Sequence, residues 1–370
     1  MLKNVAFISV LSLTWAAACS RAPNKTEIRL EISENHQKLF EDVKHATYDE
    51  ADGLKLLGSL AEKSDGFCAD AIKGKFSPGN FLNVDAAKTA FADWDQSHFQ
   101  SARLGCRNWY TMTDLHPEFD FSKINVTFNP RALQKFDCYA VGYLQPYIMA
   151  ANLNCARLSI IDVDFRILKA HLDLLKAMRE RTWTNLDQLF EKVKYSFPAG
   201  NKRKGNKHDI DLTLSDLCGE NSTRACAAAL IRFMEKLPSL SEVNLVLSPL
   251  HEFKFPAKRD ELISVFYTSN AFDPHFTSEA HFKEFMAKLR PIAESRDRVV
   301  IYHQSEEKSF GVYQLTNENT VTTVCADKFK NVVEGRYSAD RCRYFPGKTT
   351  VYENYFDQLA KGRHPEKCSE

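Results

Sequence analysis

Between Phe136 and His303 the chain alternates short apolar runs with amphipathic helical patterns, and this rhythm restricts the possible fold more than any other feature. Residues 136–142 read as a buried strand, 144–153 as a helix and 158–163 as a second strand. Residues 165–178 follow as a helix carrying Ile167, Leu168, His171, Leu172 and Leu175 at helical spacing. Two strands joined through a helix run parallel, and the right-handed crossover gathers their loops at the strand C-terminal ends. The rhythm continues with a helix over 183–193, a short strand over 210–214, and a helix over 223–237 capped by Asn221 or Ser222. Strands at 243–247 and 262–267 and a helix at 277–293 come next, the helix with Phe282, Phe285, Met286 and Leu289 on one face. A strand at 298–303 is followed by two runs, 310–315 and 321–325, that flank Thr316-Asn317-Glu318-Asn319 and predict an antiparallel pair. The expected fold is α/β: a mostly parallel sheet flanked by helices, with antiparallel C-terminal strands.

Upstream, helical patterns over 51–63 and 84–104 predict an N-terminal helical region, residues 45–130, packed on a core domain of residues 131–330. Trp94, Phe99, Trp109 and Tyr110 make this region aromatic, and such spacings point to core rather than to a ligand stack. Residues 19–44 are polar and read as a tether in which 27–43 has the capacity for a helix; residues 331–370, with Gly347, Gly362 and Pro365, read as an irregular C-terminal extension.

Residues 1–18 have the build of a secretory signal peptide: Lys3, an apolar run over 5–15 that is too short to span a bilayer, then Ala16-Ala17-Ala18 before Cys19. Small residues directly before a cysteine resemble the lipobox of bacterial lipoproteins, with Ala16 standing where leucine is usual. The resemblance implies lipidation of Cys19, an export address in the cell envelope, a membrane anchor and an envelope protein as partner. The alternative is an ordinary signal-peptidase site at Ala16 and Ala18 with Cys19 incidental. Acidic and basic residues number 48 and 49, so no overall field favours nucleic acid as a partner. The basic cluster Lys202, Arg203, Lys204, Lys207 and His208 reads as a solvated loop.

Nine cysteines follow Cys19, none in a CxxC pair and none with a histidine doublet, which argues against zinc and for disulfides. Sequential pairing joins Cys68 to Cys106, Cys138 to Cys155, Cys218 to Cys226 and Cys325 to Cys342, and leaves Cys368 over. One pairing has a geometric check. Cys138 lies in the first strand and Cys155 just before the second, and neighbouring strands about 4.8 Å apart bring such residues within bridging reach.

Gly142 ends the first strand of the sheet domain and Asp162 the second, with a helix between, and this order resembles class I S-adenosylmethionine-dependent methyltransferases over about residues 136–325. The resemblance implies a Rossmann-like domain in which Gly142 approaches the amino-acid part of the cofactor and Asp162 accepts from its ribose. In the resemblance the fourth strand spans residues 262–270, and Ser269 and Asn270 at its end would close the cleft. Against the family pattern, Gly142-Tyr143-Leu144-Gln145-Pro146 holds one glycine where several are usual. Pro249 follows Ser248 where the third strand usually delivers an acid, and Asp216 and Glu252 are displaced from that place. An exported chain also lies apart from the cytoplasmic supply of S-adenosylmethionine. The reading that follows is a non-catalytic Rossmann-like envelope lipoprotein, binding a small molecule or acting as a scaffold, with no cofactor expected; an S-adenosylmethionine-dependent transferase is the alternative. No Gly-x-Ser-x-Gly, Walker A loop or His-Glu-x-x-His occurs. Asp273, His275, Glu279 and His281 read as a helix cap and polar face rather than a metal site, and His171 as a satisfied core histidine.

Overall fold

A computed structural model describes residues 26–72, 81–91, 103–106, 110, 112, 121, 124–125, 128, 135–195, 212–218, 223–255, 262–271, 276–289, 298–304, 309–315 and 321–327. Among the described residues, nine strands form a single sheet: β1 Glu27–Ile32, β2 Thr47–Asp49, β3 Phe136–Ala140, β4 Cys155–Asp162, β5 Glu242–Leu247, β6 Ile263–Ser269, β7 Arg298–Gln304, β8 Ser309–Leu315 and β9 Val321–Asp327. Their spatial order is β2-β1-β5-β4-β3-β6-β7-β8-β9. β1, β5, β4, β3, β6 and β7 are mutually parallel, while β2, β8 and β9 pair antiparallel. The fold is therefore α/β, with the run β5-β4-β3-β6-β7 in the doubly wound order of a Rossmann-like sheet.

Helices α1 Glu34–Leu39, α2 Glu50–Ile72 and α3 Val84–Phe91 precede the Rossmann-like unit. Within it lie α4 Gln145–Asn152, α5 Phe165–Glu180, α6 Leu186–Glu191, α7 Leu214–Cys218, α8 Thr223–Lys236 and α9 Glu279–Leu289. Strand alternation decides which residues face which layer. Phe136, Cys138 and Ala140 join Leu158, Ile160, Val243, Leu245, Val265 and Ile301 in the larger core, under α2, α4, α5 and α8. Tyr139, Ile161, Val246, Phe266 and Val300 point the other way and meet Phe282, Phe285 and Leu289 of α9. Tyr139 and Phe266, paired in register on β3 and β6, stack with ring centroids 4.5 Å apart.

Two expectations are overturned. Residues 27–32 are not part of a tether or a helix: β1 lies inside the sheet between β2 and β5. The cause is local, because Glu27, Arg29 and Glu31 alternate with Ile28, Leu30 and Ile32, a period of two that buries one face of a strand. Ser33 then caps α1. The short strand expected at 210–214 also differs: Leu212 and Thr213 are irregular and Leu214 opens α7, while residues 210–211 lie outside the described residues. Thr213 and Asp216 exchange hydrogen bonds in a capping box, and this settles the helix start.

The N-terminal helices are fastened to the sheet domain by charge as well as by apolar packing. Arg166, fully buried in the first turn of α5, donates to the Ala61 carbonyl at 2.9 Å, Ser64 Oγ at 2.5 Å and Asp65 Oδ1 at 2.6 Å, all on α2. Arg179 pairs with Glu50 at the other end of the same two helices. Three of the expected disulfides are present, Cys68–Cys106, Cys138–Cys155 and Cys218–Cys226, with Cα separations of 5.3, 5.8 and 6.0 Å. They are the mark of an oxidising, non-cytoplasmic compartment. The Cys325–Cys342 pairing lies outside the described residues, as do residues 1–25 with Cys19 and residues 331–370 with Cys368. Among the described residues no helix is long and apolar enough to cross a membrane.

Cys138–Cys155 closes a loop of 17 residues. Replacing both cysteines by alanine is expected to cost about 3 kcal/mol, read as a lower denaturant midpoint under non-reducing conditions. A loss under about 1 kcal/mol would show that the β3–β4 pairing stands without the bridge.

Candidate functional site

In a doubly wound sheet the ligand-side edge is the row of strand C-terminal ends, and the crevice opens where the strand order reverses, here between β3 and β6. The register places the sequence candidates along this row. Asp162 and Ile32 both pair with Leu247, and Ser269 pairs with Tyr302. Ala140 pairs with Ile160 and Tyr267, so Gly142, two residues further on, is level with Asp162 and Ser269. Asn270 turns away directly after β6. The structure therefore brings Gly142, Asp162, Ser269 and Asn270 to one edge, beside the switch point.

The glycine is required, but its space is already taken. Gly142 has φ +82°, and a Cβ there would lie 2.6 Å from Gln145 Oε1. Gln145 is itself buried, its Oε1 accepting the Leu144 amide at 3.1 Å. His171 Nε2–H donates to the Gly142 carbonyl at 3.2 Å, and the Tyr147 hydroxyl donates to His171 Nδ1 at 2.6 Å. Both ring nitrogens are thus occupied, and burial pushes the imidazole down to about 3. His171 is the satisfied core histidine that its helix position implied. Tyr143 points inward to Tyr195, their hydroxyls 3.0 Å apart, with Tyr110 packed edge-on to both rings. Phe121 is fully buried with its ring 5.7 Å from that of Tyr267 on β6.

Ser269 is buried at φ +47°, a left-handed conformation uncommon for a side chain other than glycine, and it sits at a break in the β6–β7 register. Asp162 is half-buried, with Oδ1 accepting the Asp164 amide at 2.9 Å. Burial is the main cause that raises its carboxyl to about 7. Asp164, which caps α5 through the Arg166 amide at 2.8 Å, is raised well above the carboxylate range by burial and by Asp162.

A second polar cluster, at the ends of β1 and β5, was not singled out from sequence. Ser33 Oγ lies 2.9 Å from Glu252 Oε2 and 3.0 Å from His36 Nδ1. Arg103 donates to Glu252 Oε1 at 3.0 Å with both side chains nearly buried. The rings of His251 and His281 stack 3.6 Å apart and within 3° of parallel. Burial and the Arg103 charge hold His36 well below its ordinary value. Burial, with the charges of His281 and Arg103, takes His251 down to about 3, so both rings are neutral near pH 7. His36 Nε2 has no partner of hydrogen-bonding geometry among the described residues, and the Val163 backbone is the polar group that favours its protonated form. The cluster borders a cleft of about 380 Å³ lined by Ser33, Glu34, Gln37, Ser248, Glu252 and Lys254.

The displaced acid Glu252 is thus at the strand edge, held by Arg103 and Ser33, whereas Asp216 serves the α7 cap. One signal could have found the cluster: His251 and Glu252 follow a strand end by a few residues, which is where ligand-side groups lie in such sheets. Ser33, His36 and Arg103 had no such signal once their segments were read as tether and helix. Among the described residues no group of three or more His, Cys, Asp or Glu side chains is placed to hold a metal ion. Of the four residues weighed as a metal set, Asp273, His275 and the Glu279 side chain lie outside the described residues, while His281 is in the stack with His251. The basic cluster 202–208 also lies outside them.

No protein-family model matches the chain, and no curated protein is detectably similar to it.

The buried groups set a pH dependence. Asp162 keeps its proton in the folded state up to about 7 and loses it near 4 when unfolded, so its contribution to stability grows as pH falls from 7 towards 4. His171 opposes it: below about 6.5 the unfolded chain binds a proton that the folded ring refuses until about 3, so stability falls across that window. Asp162→Asn removes the first effect and leaves the second. The variant is expected to lose more stability than the parent between pH 7 and pH 4 in urea unfolding; equal losses would contradict a proton held at Asp162.

Proposed function

We propose that this is an exported lipoprotein of the cell envelope, anchored through Cys19, whose Rossmann-like domain is a non-catalytic binding or scaffold module. The observation that carries the reading is the filling of the Gly142 loop by the protein's own side chains. A methyltransferase loop needs bare backbone so that the ligand can approach closely. Here Gln145 stands against the Cα of Gly142, His171 takes its carbonyl, and Tyr143 is drawn into the core with Tyr110 and Tyr195.

The likeness to class I methyltransferases is then one of strand order with a changed use of the loop. Asp162 supports the same view, because a group that accepts from ribose hydroxyls serves best as a fully ionised carboxylate, and burial raises its carboxyl to about 7, which leaves it only partly ionised at neutral pH. A binding role is favoured at the Ser33–Glu252 cleft instead, whose volume falls within the ordinary range for small-molecule sites. Its hydroxyls, amide and carboxylates stand beside the apolar side chains of Ile32, Val246 and Phe253, a mixture that suits an amphipathic ligand or a segment of an envelope protein with both characters.

Differential scanning fluorimetry with S-adenosylmethionine and S-adenosylhomocysteine separates the readings. No saturable change in Tm is expected with either compound at millimolar concentration. A saturable rise of several degrees that Gly142→Ala abolishes would overturn the non-catalytic reading and restore the transferase one.

A further inference from the structure

We propose that the edge of the sheet formed by the strand N-terminal ends is a membrane-docking surface, resting on an anionic bilayer while the Ser33–Glu252 cleft faces away from it. The inference rests on the lipid anchor at Cys19.

Its first support is the point at which the chain enters the fold. Thr26 is buried and its hydroxyl donates to the Leu237 carbonyl at 2.7 Å, which fixes the start of β1 beside the turn before β5. Residues 20–25 separate it from Cys19. A connection of this length reaches at most about 25 Å when fully extended and about 15 Å as a relaxed coil. β1 runs parallel to β3–β7, so this entry lies at the N-terminal ends of all the parallel strands. The cleft lies at the other end of β1, about 20 Å further on.

The second support is what the topology delivers to that edge. α5 and α8 return antiparallel to the strands and therefore end there, as the hydrogen bonds of Lys236 to the Ala151 and Leu153 carbonyls show for α8. Helix C-termini favour cations. Lys135, Lys176, Arg181 and Arg232 are all exposed in this region, Lys135 directly before β3 and Arg181 as the left-handed cap of α5. Of the carboxylates at this edge, Glu27 pairs with Arg29, Glu50 with Arg179, Asp52 with Lys55, Glu242 with Arg157 and Glu180 with Lys176, while Asp49 and Glu235 are exposed among them, so the excess of positive charge is modest and rests on Lys135, Arg181 and Arg232. Ile231, beside Arg232, is the one exposed large apolar side chain among the described residues. Cations close to an anionic leaflet are attracted within a Debye length, and a lipid anchor holds more firmly when joined by such a patch.

The test uses full-length protein extracted from membranes and returned to vesicles of phosphatidylethanolamine and phosphatidylglycerol. Its lysines and arginines are modified with amine- and guanidine-directed reagents and read by mass spectrometry. The comparator is the Cys19→Ser chain, exported through a cleavable leader and free in solution. Lys135, Lys176, Arg181 and Arg232 are expected to react at least three-fold more slowly on vesicles, with Lys38 and Lys254 at the cleft edge unchanged. Protection of the Lys38 and Lys254 set, or of neither set, on a protein whose intact mass includes the acyl groups would overturn the orientation and leave the anchor standing. An intact mass without acyl groups would overturn the anchored reading and the docking surface together.

Discussion

The hydrogen bond from His171 to the Gly142 carbonyl is the constraint on which the ligand-side edge depends. It ties the loop after β3 to the middle of α5, and the Tyr147 hydroxyl on the other ring nitrogen fixes the tautomer that makes it. With the loop drawn down onto α5, Tyr143 and Tyr195 share a buried hydrogen bond. All of these polar groups are paired within the core, so opening the crevice means breaking several buried hydrogen bonds together. A ligand competing for that space would have to supply the difference.

The segments that precede the Rossmann-like unit complete this closure. Gly105, at φ +69°, lies against the Phe165 ring so closely that a Cβ would fall 2.3 Å from it, and Cys106 is bridged to Cys68 of α2. Arg103 reaches across from the same stretch to Glu252, and Phe40 stacks on Phe81 and meets Phe165 edge-on. The chain before β3 is therefore part of the domain's ligand-side wall as well as a separate helical layer. His36 and His251 there are held below their ordinary values because they are enclosed, and enclosure is also the physical origin of the opposed pH effects of Asp162 and His171.

Much of this fold was legible from residue pattern. Period-two and period-3.6 stretches gave the parallel strands and helices from β3 to β7, and the strand register that follows made Cys138 and Cys155 neighbours. β1 was missed for a definite reason: its polar average resembles a tether, although Ile28, Leu30 and Ile32 alternate as a strand requires. At the site, Gly142, Asp162, Ser269 and Asn270 could be assigned to one edge from strand ends alone. The contents of that edge could not, because Arg103 and Glu252 are 149 residues apart, and Ser33 and Glu252 are 219 apart. Local pattern carries no information on such pairings. Tyr143 and Gln145 were visible as bulky residues after the glycine, but whether they line a cleft or fill it depends on α5 and on His171.

The central claim is that the crevice beside Gly142 is occupied by the protein itself and stays so in solution. Native-state amide hydrogen exchange at Leu144, whose N–H is held by Gln145 Oε1, tests it most directly. The account predicts that Leu144 exchanges as slowly as the amides of β3 and β4, through global unfolding. Exchange at Leu144 orders of magnitude faster than in those strands would mean that the loop opens locally, and would contradict it.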